Sequence, residues 1–318
     1  MKEIGGFFEL QLRKGEHYHK GAVHLNTARN CLEYILRAKK YKKIYIPYLD
    51  SEVIWEPMKK LGTDYEFYSV DSKIDPIFEK ELGKDEAFFY SDTYGIKCNT
   101  VEKLVKRFGK QLIIDNTHAF FSKPFPGIDT IYSPRKFFGL PDGAYLYTET
   151  LLKEDFEQDS AIPHMTHLMK RIEEGSANAA YQDYLNYCNS LIDQPIKRMS
   201  NLGEALLKNI DYENLKERQI KNFRYLHSVL GKDNQFEYDD FPADTCPLSY
   251  MFYSEDPGLR KKLIENKIYV STYWKATLDL VEKDSAEYKI VNYLLPLPSD
   301  HRYDEEDMRR IVEVINSK

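Results

Sequence analysis

Short apolar runs alternate with amphipathic stretches along the first 150 residues. The runs predict strands at residues 43–47, 65–70, 86–91, 112–114 and 128–132. Apolar spacing at helical period predicts helices at residues 52–61, before Gly62, and 100–108, before Gly109. Strands alternating with helices of about ten residues are typical of right-handed crossovers and a mostly parallel sheet. A further run at residues 144–148 follows only a turn, so this strand is predicted to run antiparallel to its neighbour.

The remaining patterns complete an α/β chain. Asn26 or Thr27 is suited to cap a first helix, in which Cys31 and Leu32 begin an apolar face. Residues 150–230 are rich in charge, Ala, Leu and Asn, and predict several helices. The last third predicts strands at 248–253, 267–270 and 291–295 and helices at 257–266 and 304–315. We therefore expect a large domain at 1–210, with the sheet and the following helices, and a small C-terminal α/β domain at 211–318.

Composition narrows the classes of function. The 318 residues carry a formal net charge of −6, which gives no electrostatic case for nucleic acid or a membrane surface as partner. No apolar run reaches membrane-spanning length and the start lacks the features of a signal peptide, so we expect a cytoplasmic protein. The four cysteines form no Cys-x-x-Cys pair, and His17-Tyr-His19 lacks further ligands nearby in sequence. We therefore predict no metal site.

Candidate chemistry lies where two predicted strands end. Asp115 follows the run at 112–114, while Ser133 and Lys136 follow the run at 128–132. In open α/β sheets, ligands bind just beyond the carboxyl ends of the strands. A pyridoxal phosphate (PLP) site needs a lysine that forms a Schiff base with the cofactor aldehyde. It also needs a carboxylate that keeps the pyridine nitrogen protonated.

These residues resemble a known family. Asp115-Asn-Thr-His118, Ser133-Pro-Arg-Lys136, Gly143 and Asn26-Thr27-Ala28 resemble the motifs of fold-type I PLP enzymes. Among these enzymes, the chain is most similar to the sugar aminotransferases of the DegT/StrS type. The resemblance extends over nearly the whole chain. It implies the aspartate aminotransferase-like fold, with a mostly parallel central sheet, helices on both faces and a smaller C-terminal lobe.

The resemblance also implies roles for individual residues. Lys136 holds PLP and moves the proton, Asp115 pairs with the pyridine nitrogen, and His118 contacts the ring hydroxyl or lies beside the ring. Asn26, Thr27 and Ala28, at the start of a helix, are implied to bind the phosphate of the cofactor, and Ser133 is a second candidate. The alternative for Asn26, Thr27 and Ala28 is that they only cap the helix. Either Tyr48 or Tyr94 supplies a stacking face.

The implied activity is transfer of an amino group from glutamate to a nucleotide-linked keto sugar. Two segments are candidates for the mouth of the substrate cleft, residues 269–275 and 164–171. The alternative is that the first is an ordinary packed strand end and the second a solvated helix face. The implied assembly is a homodimer with its active site at the subunit boundary, for which Tyr181, Tyr184 and Tyr187 give supporting hints. The alternatives are another PLP reaction, such as elimination or sulfur transfer from an amino acid, and a non-catalytic PLP-binding homologue.

Overall fold

A central sheet of eight strands dominates the computed structural model, which describes residues 4–317. Its strands are β1 (Val23–Leu25), β2 (Lys43–Pro47), β3 (Asp64–Val70), β4 (Pro76–Ile77), β5 (Glu86–Ser91), β6 (Leu112–Asp115), β7 (Asp129–Tyr132) and β8 (Ala144–Tyr147). They lie in the order β1-β8-β7-β6-β5-β2-β3-β4. A second sheet pairs β9 (Tyr250–Tyr253) with β10 (Leu294–Leu297) antiparallel.

Strand direction in the large sheet follows from the connections. β3, β2, β5, β6 and β7 pair with one another in parallel. β8 follows β7 through a short turn and runs antiparallel to it, as the sequence predicts. β1 pairs antiparallel with β8, and it therefore runs in the same direction as β7. The carboxyl ends of these six strands consequently lie at one edge of the sheet.

Ten α-helices accompany the strands in the described part of the chain. They are α1 (Ala28–Lys39), α2 (Trp55–Leu61), α3 (Cys98–Phe108), α4 (Thr166–Glu173), α5 (Tyr181–Ser190), α6 (Asn201–Asn209), α7 (Tyr212–Leu230), α8 (Leu259–Glu265), α9 (Ala286–Tyr293) and α10 (Glu305–Asn316). The Thr27 hydroxyl caps α1 by accepting from the Asn30 N–H, and Asp304 caps α10 in a capping box. Among the described residues, no helix is long and apolar enough to cross a membrane.

Two strand predictions in the last third are wrong. Residues 267–270 form no strand: Ile268 and Val270 are buried, but this segment has no ladder partner. Val291 belongs to α9, which the Ser285 hydroxyl caps, and the strand β10 begins only at Leu294. In both places the apolar run correctly indicates buried residues. It does not predict a strand, because a strand also needs a pairing partner from a distant part of the chain.

The buried side chains form three groups. Two pack against opposite faces of the large sheet, around Phe88 and Ile114 on one face and Ile44 and Ile113 on the other. The third lies in the C-terminal lobe between α7, α8, α10 and the small sheet. The boundary between domains at residues 210 and 211 stays a prediction, and it falls in the short link between α6 and α7.

Candidate active site at the carboxyl edge of the sheet

Polar side chains from neighbouring strands meet at the carboxyl edge. Asp50 follows β2, Ser91 ends β5, Asp115 ends β6 and Lys136 follows β7. Ser91 and Asp115 are register partners across β5 and β6. The Ser91 hydroxyl donates to Asp50 Oδ2 at 2.5 Å, which ties β2 to this pair. The sheet therefore brings a lysine and two aspartates into one recess.

Lys136 is held at the entrance of the recess by a single helical turn. Pro134 begins this 3-10 turn, and the Phe137 and Phe138 N–H groups both donate to its carbonyl. The side chains of Phe137 and Phe138 are buried in the core, which anchors the backbone on the far side of the lysine. Lys136 itself is exposed, and its Nζ lies 5.0 Å from the ring centre of Tyr273.

Asp115 is half-buried and accepts a hydrogen bond from the Thr117 N–H at 2.8 Å. Burial raises the pKa of Asp115 above its ordinary value, while the hydrogen bond from the Thr117 N–H and the charge of Lys136 oppose this shift. A positive charge brought next to Asp115 therefore favours its ionised form. That response is what a carboxylate partner of a protonated ring nitrogen requires.

Asp50 is a member of the site that the sequence analysis missed. It is 7% exposed and accepts from the Ser51 N–H at 2.6 Å in addition to Ser91. Burial, followed by repulsion from Asp115, raises the pKa of Asp50 to about 7. Its position shortly after the buried strand β2 is a signal in the sequence that could have identified it.

An aromatic cluster covers the recess beside Lys136. It consists of Tyr94, His118, Tyr273 and Trp274, with ring centres 5.4 to 6.1 Å apart. Tyr94 and Trp274 both have a positive φ, near 57° and 56°, so the backbone turns sharply at each of them. Gly95 follows with φ 72°, and a Cβ there would lie 2.7 Å from the His118 carbonyl oxygen. This close approach of backbone requires glycine.

His118 is neutral and oriented. The Tyr94 N–H donates to its Nδ1 at 3.4 Å, which leaves the ring proton on Nε2. Burial, together with the charge of Lys136, holds the pKa of His118 well below its ordinary value. Of the two predicted stacking residues, Tyr94 belongs to the aromatic cluster, whereas Tyr48 stacks on Phe67 with ring centres 4.7 Å apart.

The predicted phosphate residues lie at the same edge, where β1 leads into α1. The side chains of Asn26 and Thr27 are already used: Asn26 bonds to Pro195 and Lys197, and Thr27 caps the helix. The N–H groups in the first turn of α1, beginning with Ala28, have no intrahelical partner by helix geometry. Ser133 is buried at the end of β7. The guanidinium of Arg29 forms an ion pair with the carboxylate of Glu56.

Three buried polar atoms beside the recess have no hydrogen-bond partner among the described residues. They are Asn116 Oδ1, Thr117 Oγ1 and Arg135 Nε. All three belong to residues next to Asp115 or Lys136. Unpaired buried polar atoms are costly unless a ligand or water satisfies them, so these three atoms are candidate contacts for a polar ligand.

The two segments predicted at the substrate mouth both reach this region. Tyr273 and Trp274, in the first, belong to the aromatic cluster. In the second, which forms α4, His167 stacks on Tyr187 with ring centres 4.3 Å apart. The guanidinium of Arg135 lies 4.9 Å from the centre of the same Tyr187 ring. Arg135, the residue next to Lys136, therefore contacts α5 through Tyr187, and the same tyrosine contacts α4 through His167.

Comparison with solved structures identifies the fold. A DegT/DnrJ/EryC1/StrS aminotransferase from Brucella abortus matches with a TM-score of 0.61 and 16% identity, over 92% of this chain and 84% of that chain. The sugar aminotransferase CalS13 from Micromonospora echinospora matches with a TM-score of 0.63 and 15% identity, over 92% and 86%. A candidate sugar aminotransferase from Streptococcus pneumoniae, in its PLP form, matches with a TM-score of 0.60 and 14% identity, over 92% and 86%.

The sequence itself matches no protein-family model and no curated protein. At 14 to 16% identity, the structural likeness establishes the architecture alone. The chain has the aspartate aminotransferase-like fold that the DegT/DnrJ/EryC1/StrS aminotransferases share.

Proposed function

We propose that this protein is a PLP-dependent aminotransferase that acts on a keto sugar. The observation that carries the proposal is the convergence of Lys136, Asp115 and His118 in one recess at the carboxyl edge of the sheet. A lysine with an acidic partner at this place in this fold is the minimum equipment for PLP chemistry. The fold, shared with aminotransferases, supports the assignment.

The residues present fit the cofactor. Lys136 supplies the amine that binds it covalently, and Asp115 supplies the carboxylate for the ring nitrogen. The unpaired Thr117 Oγ1 and Arg135 Nε and the first-turn N–H groups of α1 are donors suited to the cofactor oxygens. Asn26 and Thr27 act mainly by fixing the start of α1, and Ser133 and Ala28 are the contacts with the phosphate.

Each side chain then has a defined task. When bound, PLP supplies a ring that accepts electrons from the substrate carbon. Lys136 Nζ would take the proton from the substrate carbon and deliver it to the cofactor carbon, because substrate binding would release the amine beside both. Asp115 would pair with the protonated ring nitrogen, and His118 would donate its Nε2 proton to the ring hydroxyl. Tyr94 closes the recess beside His118.

Asp50 controls the charge of the recess. Two ionised aspartates so close to each other repel, and burial adds to the cost of ionising both. Asp50, held by Ser91 and Ser51, is the member of the pair whose pKa lies near neutrality. It therefore takes up the proton and leaves the negative charge of Asp115 for the cofactor.

The proposed substrate is a nucleotide-linked keto sugar, with glutamate as amino donor. Similarity to a sugar aminotransferase supports the sugar. Tyr273 and Trp274 offer stacking surfaces, and Arg135 offers a cation at the entrance. Sulfur transfer has less support, because burial raises the pKa values of the Cys31 and Cys246 thiols and disfavours their reactive thiolate forms. A cytoplasmic location stays a prediction.

The proposed assembly is a homodimer whose interface borders the site. Large apolar side chains are exposed on and around α4 and α5: Ile162, Met169, Ile172, Tyr181, Tyr184 and Ile192. Ile162 and Ile172 are 82% and 80% exposed. Several exposed apolar side chains on neighbouring helices are typical of a protein contact. This region adjoins Tyr187, which contacts Arg135 beside the proposed catalytic lysine.

Covalent cofactor binding depends on Lys136. The wild-type protein with added PLP is expected to be yellow, and borohydride is expected to fix the cofactor on the peptide that contains Lys136, as read by mass spectrometry. Lys136→Ala removes the amine and should lose both signals. Lys123→Ala, at an exposed lysine, should retain them. A colourless wild-type protein, or a label that persists in Lys136→Ala, would refute the assignment.

Dimerisation depends on the apolar surface of α4. The double variant Ile162→Glu/Ile172→Glu places two charges in the proposed interface and is expected to sediment as a monomer with strongly reduced activity. Val229→Glu, at an exposed position on α7, is the matched control and should remain dimeric. A wild-type protein that sediments as an active monomer contradicts the proposed assembly.

Asp50 makes the stability of the cofactor-free protein depend on pH. Its pKa is about 7 when folded and near 3.8 when unfolded, so unfolding releases a proton between these values and stability falls as pH rises through that window. Asp50→Asn removes this loss. Between pH 4 and pH 8 the variant should therefore gain up to about 4 kcal/mol relative to wild type, at about 1.4 kcal/mol per pKa unit.

Urea unfolding at several pH values measures the difference between variant and wild type. Asp64→Asn, at an exposed aspartate, is the control and should show no such trend. A constant difference between Asp50→Asn and wild type across the range would mean that Asp50 is ionised throughout.

A further inference from the structure

Two histidines and a glutamate from distant parts of the chain meet on the other side of β8 from the strand that leads to Lys136. His17 precedes the sheet, His24 is the central residue of β1, and Glu204 lies in α6. One ligand atom from each lies within 4.8 Å of the others. We refer to these three residues as the His–Glu cluster. The proposed aminotransferase chemistry uses none of them.

The contacts within the His–Glu cluster are close. His24 Nδ1 lies 2.7 Å from Glu204 Oε1, and His17 Nε2 lies 2.7 Å from Glu204 Oε2. The two imidazole rings have centres 4.6 Å apart. The His24 contact is aligned as a hydrogen bond. The His17 contact is not, so His17 Nε2 is buried beside a carboxylate without a directed partner.

Tyr145 fixes the orientation of His17. Its hydroxyl lies 2.7 Å from His17 Nδ1, on the opposite side of the ring from the orphaned Nε2. When His17 Nδ1–H donates to this hydroxyl, the Nε2 lone pair is available to a ligand, which is the arrangement found in most metal-bound histidines. Tyr145 is fully buried in β8 and is the register partner of His24. One tyrosine thus contacts both histidines of the cluster from a rigid strand.

The elements that carry the cluster are firmly placed. β1 is paired along its whole length with β8. The Ser200 hydroxyl caps α6, and Ser200 is itself bonded to the buried Asp142. His24 and Glu204 also line a cavity of about 1730 Å³, which the N-terminal segment 8–15 lines as well. The cluster therefore borders open space in which a further ligand can be placed.

We propose that His17, His24 and Glu204 bind a divalent transition-metal ion of the Zn²⁺ class, with water from the cavity as the fourth ligand. Two imidazoles and one carboxylate with an open position form a donor set that Zn²⁺ accepts. Tetrahedral coordination at about 2.0–2.1 Å separates ligand atoms by roughly 3.3 Å, so the 2.7 Å contacts must open slightly on binding. Glu204 is partly exposed, and its side chain has room to move.

The ion would join three segments that are far apart in sequence. It would tie the chain before β1 to the edge of the sheet and to α6. This site is independent of PLP binding, since no residue of the His–Glu cluster belongs to the proposed cofactor site. The competing arrangement is a carboxylate that simply accepts hydrogen bonds from two histidines and binds no metal.

Titration of the full chain, freed of metal by a chelator and free of PLP, separates these arrangements. Co²⁺ is added first, because its visible absorption reports the coordination geometry, and Zn²⁺ is then added to displace it. We expect one tight equivalent of Zn²⁺ and a Co²⁺ spectrum of low coordination number. Absence of saturable binding at one equivalent overturns the proposal.

Variants assign the bound ion to the cluster. Glu204→Gln keeps the size of the side chain but removes the charged ligand, and it should weaken Zn²⁺ binding at least tenfold. Tyr145→Phe keeps the buried ring and loses only the hydroxyl, for which we expect a loss of about 10–100-fold. His227→Ala, at an exposed histidine on α7, should bind as wild type. If Glu204→Gln fails to fold, Tyr145→Phe decides. Wild-type affinity in both variants places the ion elsewhere and refutes the site.

Discussion

The common direction of five neighbouring strands is the constraint on which the candidate active site depends. β3, β2, β5, β6 and β7 are parallel, so the chain leaves all of them at the same edge of the sheet. Residues as far apart in sequence as Asp50 and Lys136 become neighbours for this reason alone. Because β8 is antiparallel to both β7 and β1, β1 runs in the same direction as the five parallel strands. The start of α1, which follows β1, therefore lies at this edge as well.

Burial then sets the charges of the groups gathered there. The pKa values of Asp50 and Asp115 are raised and that of His118 is lowered, and in all three the first cause is loss of contact with water. Each shift favours the neutral form. A cationic ring bound next to Asp115 reverses the preference of that carboxylate, while His118 stays neutral and Asp50, with a pKa of about 7, is able to hold a proton. The proposed cofactor therefore fits a recess whose own charge is small until the cofactor enters.

Residues set by local pattern could be predicted from the sequence. The ends of buried strands predicted that Asp115, Ser133 and Lys136 lie at one edge of the sheet, and the pattern before the first helix offered Thr27 as one of two caps. Asp50 could not be predicted in the same way, because two residues separate it from the end of β2 and its contact with Ser91 depends on the pairing of β2 with β5. The segment 267–270 was misassigned because its buried apolar residues lack a pairing partner, which only the tertiary structure reveals. The sequence pairs His17 with His19, whereas the structure brings His17 to Glu204 in α6, a contact that only the tertiary structure reveals.

Transfer of nitrogen is the most direct test of the proposed activity. Purified protein loaded with PLP is mixed with ¹⁵N-labelled glutamate and a panel of nucleotide-linked keto sugars, and the products are analysed by mass spectrometry. The account predicts that ¹⁵N appears in one amino sugar product with release of an equal amount of 2-oxoglutarate. If the label stays in glutamate, the protein is not an aminotransferase with this donor. If it passes only to simple keto acids, the sugar assignment is wrong.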